Sequence, residues 1–151
     1  MNLQNEQWKR IRYTGYPQLY RRYKVSSCGR VKSISRTVVR VCNNGTVIRQ
    51  RIVGRILRQQ LSFGYPSITL SLGARGKQTP FFVHLLMLET FIGPRPKGLE
   101  GCHFDDIPTN NQITNLRWDT HGANIADGWR NGNNKGNSGK RWKLKKFRKR
   151  K

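Results

Sequence analysis

The sequence predicts an α+β protein: a β-rich N-terminal region, then a strand–loop–strand–helix unit, then a basic tail. Three observations carry that prediction. Short alternating apolar runs separated by Gly, Pro and Asn turns fill the first half. After Gly76 the pattern changes to a compact apolar run and a polar loop bounded by two strand-like segments. From Asn133 onward the composition collapses to Asn, Gly, Ser, Lys and Arg, interrupted only by Trp142, Leu144 and Phe147.

In order, Trp8 to Ile11 reads as a first strand, ended by the Gly15-Tyr16-Pro17 turn. Tyr23 alternates with Val25, and Val31 with Ser33, around a Ser/Gly turn, which predicts a hairpin. Thr37 to Val41 and Thr46 to Ile48 flank Asn44-Gly45, a strong hairpin turn. Two more strands, Ile56 to Leu61 and Ser67 to Leu72, are expected to join across Phe63-Gly64-Tyr65-Pro66. Thr79 to Phe82 reads as a last strand of this region, and His84 to Phe91 as a short buried helix stopped by Gly93-Pro94-Arg95-Pro96. Residues 98–103 form a strand entering a polar loop, and Ile113 to Asp119 is the returning strand. Thr120 is placed to cap a helix from His121 to Arg130, closed by Asn131-Gly132. The expected units are residues 1–75, 76–132 and a tail of 133–151, the last too polar to order itself alone.

Charge narrows the partner. The 151 residues hold 30 Lys and Arg against 7 Asp and Glu, a formal charge of +23. Such an excess repels itself, and it is useful beside a polyanion, where each neutralised phosphate releases condensed counterions. Nucleic acid leads; an acidic membrane surface is the weaker alternative. No stretch approaches the roughly 20 apolar residues that span a bilayer, and Met1 to Gln7 lacks a signal-peptide core. An intracellular protein is therefore expected. Cys28, Cys42 and Cys102 are odd in number, widely spaced and without a C-x-x-C pair, so neither a disulfide framework nor a structural zinc is expected.

The chemistry concentrates in Cys102-His103-Phe104-Asp105-Asp106, Thr109-Asn110-Asn111, Thr114-Asn115-Leu116-Arg117-Trp118 and Asn124. Cutting a phosphodiester needs a group that deprotonates water and a cation that neutralises phosphate charge. His103 is the natural base, because imidazole titrates near neutral pH. Oxygen donors such as Asn suit Mg2+ or Mn2+.

These residues resemble the HNH endonucleases of phages and mobile introns, the homing type. Val83-His84-Leu85-Leu86 with Phe91-Ile92-Gly93 resembles the helix before that family's active site. Trp8 to Ile34, with its Tyr-x-Val-Ser and Gly-Arg-Val-Lys-Ser runs, resembles a small DNA-binding module often fused to these nucleases. The resemblance implies a ββα-metal (His-Me finger) core in residues 76–132. It implies His103 as base, Asn115 accepting a hydrogen bond from the His103 ring and fixing its tautomer, and Asn124 as an oxygen ligand to the metal. It also implies double-stranded DNA as partner, in the cytoplasm of a bacterial host cell, with neither a membrane nor a small-molecule substrate. A monomer with one such site accounts most simply for nicking.

One position departs from the family. The residue before its catalytic His is often Asp or His, whereas this chain has Cys102. Cys102 itself, Asp105, or Asp127 one turn beyond Asn124 are the candidates to complete the metal site. Asn111 reads as structural, bonding loop backbone as Asn does in turns. His84 reads as a core histidine, and His121 as a first-turn residue or a phosphate or metal contact. DNA contact is expected from Arg30, Lys32, Arg36 and Arg40, from Arg117, and from the tail residues Lys140, Arg141, Lys143, Lys145, Lys146 and Arg148. Two rivals remain: a non-catalytic DNA-binding protein on a decayed nuclease scaffold, for which Cys102 argues, and a basic RNA-binding protein, which charge alone permits.

Overall fold

The computed structural model describes residues 5–73 and 77–132. The tail positions named above lie outside these residues. Ten strands and two α-helices run in the order β1 (Trp8–Arg10), β2 (Tyr23–Ser26), β3 (Val31–Ser33), β4 (Arg36–Val41), β5 (Val47–Ile52), β6 (Gln60–Ser62), β7 (Tyr65–Ser71), β8 (Gln78–Phe82), α1 (Val83–Phe91), β9 (Glu100–His103), β10 (Leu116–Asp119) and α2 (His121–Arg130). Short 3-10 turns at Pro17–Arg21 and Ile113–Asn115 precede β2 and β10. The strands form antiparallel sheets β1-β2-β3, β4-β5, β6-β7-β8 and β9-β10. The α+β class is as expected.

Helix α1 is the centre. It is apolar on nearly all sides, with Val83, His84, Leu86, Met87, Leu88 and Thr90 buried, as expected of a helix enclosed by other elements. One core cluster joins Val25 and Val31 of the first sheet, Ile11 just after β1, Leu19 of the first 3-10 turn, Ile68, Leu70 and Phe81 of the third sheet, α1, and Leu116 of β10. That core crosses the boundary expected at residues 75 and 76, and β8 pairs with β7 across it. Polar clamps add to the apolar contact. Thr90 Oγ1 bonds both Arg12 N and Arg12 O, at 3.2 and 3.3 Å, and Tyr23 Oη bridges Ser71 N and Ser71 O, at 3.0 and 3.3 Å.

Two strand expectations shift. The hairpin expected to turn over four residues turns on two, Phe63 and Gly64, both left-handed at φ 51° and 84°. Such a tight turn matches strand twist, and it brings Tyr65 and Pro66 into β7 opposite Ser62 and Leu61. Pro66 is tolerated because the β8 register stops at Ser67, so no ladder partner needs its missing N–H. The strand expected over Ile56 to Leu61 shrinks to β6. The preceding residues instead edge the first sheet, through Ser33 N to Arg55 O at 2.9 Å and Leu57 N to Val31 O at 2.8 Å.

The ribbon β9-β10 lies between the two helices. In β9 the side chains alternate. Glu100 reaches α2 through Asn124 and His121, while Gly101 lies so close to Leu85, Leu88 and His84 of α1 that a Cβ there would meet them at 2.8 to 3.2 Å. His103 follows Gly101 toward α1, with its ring centroid 5.2 Å from that of His84.

Candidate active site

His103 is the last residue of β9, paired with Leu116, and its side chain is buried. Its Nε2 faces Asn111 Oδ1 at 3.0 Å. With that oxygen as acceptor, Nε2 carries the proton and donates, leaving Nδ1 as the nitrogen that can accept one. Burial pushes the His103 pKa below its ordinary value, opposed by the Asn111 hydrogen bond and the charges of Asp105 and Asp106. A lowered pKa favours the neutral ring, the form in which an imidazole can accept a proton.

The partner of the ring is thus Asn111, where Asn115 had been expected. Asn115 is occupied within the loop: its Oδ1 accepts from Asp105 N at 3.1 Å, and its Nδ2 donates to Asp105 Oδ1 at 2.8 Å and Asn110 O at 2.9 Å. The reason is local. The 3-10 turn Ile113–Asn115 starts where a strand was expected, and it turns the Asn115 amide into the loop. Burial alone would raise the Asp105 carboxyl, but hydrogen bonds from Asn110, Asn115 and Ile107 outweigh it and hold its pKa below the usual value. Asp105 is therefore a loop organiser.

Asn111 is itself seated by the N-terminal region. Gly29, in the β2–β3 turn at φ 82°, lies so close that a Cβ there would stand 2.7 Å from Asn111 Cβ. Ile113 N donates to Ser27 O at 2.9 Å. Sequence reasoning gave Asn111 only a backbone role; the buried His-to-Asn pairing depends on the loop's path, which no local spacing encodes.

Residues 6–71 match the NUMOD4 motif, and residues 81–125 match the HNH endonuclease family. The chain therefore carries a NUMOD4 motif followed by an HNH endonuclease region. It is 32% identical over 123 residues to the DNA endonuclease I-HmuI of Bacillus phage SP01, covering 80% of this chain and 56% of that one. Its fold is similar to a solved structure of DNA binding and cleavage by the HNH homing endonuclease I-HmuI, with a TM-score of 0.58 and 31% identity over 83% of this chain and 59% of that one. The chain thus spans a little over half the length of the relative it matches.

HNH endonucleases generally depend on a divalent metal. The residues expected to hold it fare differently. Asn124, on α2 behind the Thr120 cap, is half-buried and donates from Nδ2 to Glu100 Oε1 at 2.8 Å. Asp127 is committed elsewhere: its two oxygens pair with Arg117 and Arg130, and its side chain is 3% exposed. It is therefore not available as a ligand. Cys102 is 1% exposed, and its Sγ donates to Glu100 O at 3.6 Å. Burial, with the nearby Glu100 charge, pushes its thiol up to about 11, the reverse of what a thiolate ligand needs. Among the described residues no group of three His, Cys, Asp or Glu could hold a metal by itself. The donors that do converge are Asn124, Glu100 and His121, whose Nδ1 lies 3.2 Å from Glu100 Oε1. Carboxylate and carboxamide oxygens suit a hard cation, so the residues fit one. Glu100 was missed in sequence, although its place two residues before Cys102 puts it on the same strand face.

The cations expected on DNA divide. Arg117 is held by Asp119 and Asp127 and lies over the Phe104 ring at 5.2 Å; it braces the ribbon against α2. Arg30 is paired with Glu6, whose carboxyl the guanidinium hydrogen bonds hold down to about 2. Lys32 lies 3.9 Å over the Trp8 ring, and Arg36 donates to Ile34 O. Arg40 is exposed on β4 opposite Ile48, while exposed Arg49 and Arg51 on β5 lie opposite Val39 and Thr37, on the other face of the ribbon.

Proposed function

We propose that this chain is a divalent-metal-dependent DNA endonuclease of the homing type, hydrolysing phosphodiesters of double-stranded DNA. The observation that carries the reading is the buried His103 ring. Its Nε2 is fixed on Asn111 at the end of β9, within the region that matches the HNH endonucleases.

In this reading His103 Nδ1 takes a proton from the attacking water. Asn111 holds the ring in the tautomer that leaves Nδ1 free, and Asn115 with Asp105 fixes the loop that presents Asn111. Asn124 supplies an oxygen to the metal; Mg2+ or Mn2+ is preferred on the chemistry of the donors. When bound, the cation neutralises charge developing on the phosphate and the leaving oxygen.

Backbone contact falls foremost to the exposed cations of the β4–β5 ribbon, Arg49 and Arg51 on one face and Arg40 on the other, with half-buried Lys32 and Arg36 near its base. A two-stranded ribbon is narrow enough to enter a major groove. The basic residues from Lys140 to Lys151 add phosphate contacts. A single site of this kind nicks one strand per binding event. The protein acts inside a bacterial host cell. No described helix is long and apolar enough to cross a membrane.

Cleavage of supercoiled plasmid in Mg2+, Mn2+ and EDTA tests the proposal. The expected result is nicking or linearisation that needs metal. Tight DNA binding without cutting in either metal, on several DNAs, would instead select a non-catalytic DNA-binding protein on the same scaffold.

A further inference from the structure

We propose that Glu100 supplies the carboxylate of the metal site and holds the cation together with Asn124, with His121 beside them. The inference rests on the endonuclease reading and names the ligand that Cys102 leaves missing.

Glu100 and Cys102 share the α2 side of β9, yet only Glu100 is placed to serve. Its Oε1 lies 2.8 Å from Asn124 Nδ2 and 3.2 Å from His121 Nδ1, and its side chain is 32% exposed. Cys102 is almost completely enclosed and spends its S–H on the Glu100 backbone carbonyl. The spacing also suits a cation. Ligands about 2.1 Å from Mg2+ at right angles stand roughly 3 Å apart, close to the present separation of the Glu100 and Asn124 termini. Turning the Asn124 amide over presents Oδ1 in place of Nδ2 with no movement of the backbone.

Five of the other six acids are committed elsewhere, and the sixth, Asp106, sits in the loop beyond β9 with its N–H on His103 O and its charge beside the His103 ring. The sequence has 7 Asp and Glu. Glu6 is paired with Arg30, Asp119 with Arg117, and Asp127 with Arg117 and Arg130. Asp105 organises its loop, and Glu89 accepts from Thr14 N. Among the seven only Glu100 touches Asn124. His121 is 76% exposed, so it can approach a cation or a water bound to one without rearranging the helix.

The test is Mn2+ binding by the full chain without DNA, followed by calorimetry and by the electron paramagnetic resonance of free Mn2+. Wild type is compared with Glu100→Gln and Cys102→Ser. The expected result is at least a tenfold loss of affinity in Glu100→Gln and a change of less than twofold in Cys102→Ser. Wild-type affinity in Glu100→Gln, or a tenfold loss in Cys102→Ser alone, overturns the assignment. Should Glu100→Gln fold poorly, the wild-type chain answers directly. Substoichiometric Mn2+ should broaden the 13C carboxyl resonance of Glu100 ahead of those of Asp105 and Asp127; broadening that spares Glu100 overturns the assignment. Metal-dependent plasmid cutting with unchanged Mn2+ affinity in Glu100→Gln removes this ligand and keeps the endonuclease reading. A Glu100-dependent Mn2+ site in a chain that cuts no DNA does the reverse.

Discussion

At the scale of single residues, the account turns on which group meets the His103 ring. Asn111 does so at 3.0 Å, so Asn111→Ala should lower the cleavage rate about 10- to 100-fold by loosening the base. Its DNA affinity should stay near wild type, and the split appears in single-turnover rates measured beside binding. Because the folded pKa of His103 lies below its ordinary value, the base stays active down to that lowered pKa. The rate should hold level through pH 7 and fall only on an acid limb centred below 6.5. His84 is a separate case. Burial, and the neighbouring His103, take its pKa from 6.5 to about 4. A buried histidine of lowered pKa contributes stability that is complete above 6.5 and is lost as pH falls toward 4. The loss is on the order of a few kcal/mol. A His84→Leu variant, with nothing to protonate, should show a flatter fall in melting temperature across that window. The sequence singled out His103, the Asn-rich loop and Asn124, and the structure places His103 on Asn111 of that loop and Asn124 on Glu100. The assignment within the loop was not legible in the sequence, because Asn111 and Asn115 are chemically identical and only the path of the backbone separates their tasks.

At the scale of elements, alternation and turn chemistry located most of the strands and both helices, and Thr120 caps α2 as expected, accepting from Ala123 N at 3.2 Å. The turn at Phe63-Gly64 was drawn two residues too long because a proline so near it reads as part of the turn until the register of β8 is known. The β2–β3 turn carries a prediction of its own. Gly29→Ala forces a Cβ against Asn111 from a left-handed backbone, so it should slow cleavage while the hairpin still forms, visible as lost activity with little change in circular dichroism. The β4–β5 ribbon carries another. Arg49→Ala with Arg51→Ala should weaken binding evenly across DNA sequences, and each should reduce the slope of log affinity against log salt by about one. Unchanged slopes would remove the ribbon from the DNA interface.

At the scale of the whole molecule, the N-terminal and nuclease regions share one core around α1. Sequence composition drew a boundary between them because the pattern changes from strands to helix there, whereas packing depends on which faces are apolar. Leu86→Ala, at a fully buried position, should cost about 2–5 kcal/mol and lower both regions in one cooperative transition, with fluorescence and far-ultraviolet dichroism melting together. In the proposed function the charge of +23 supplies long-range attraction for DNA, whereas cutting depends on the single His103 ring. The most direct measurement is therefore chemical rescue: cleavage by His103→Ala in Mg2+ with and without added imidazole. The variant should bind DNA, cut at a small fraction of the wild-type rate, and regain cutting in proportion to neutral imidazole. Wild-type cutting by His103→Ala without imidazole would contradict the role of His103 and place the base elsewhere.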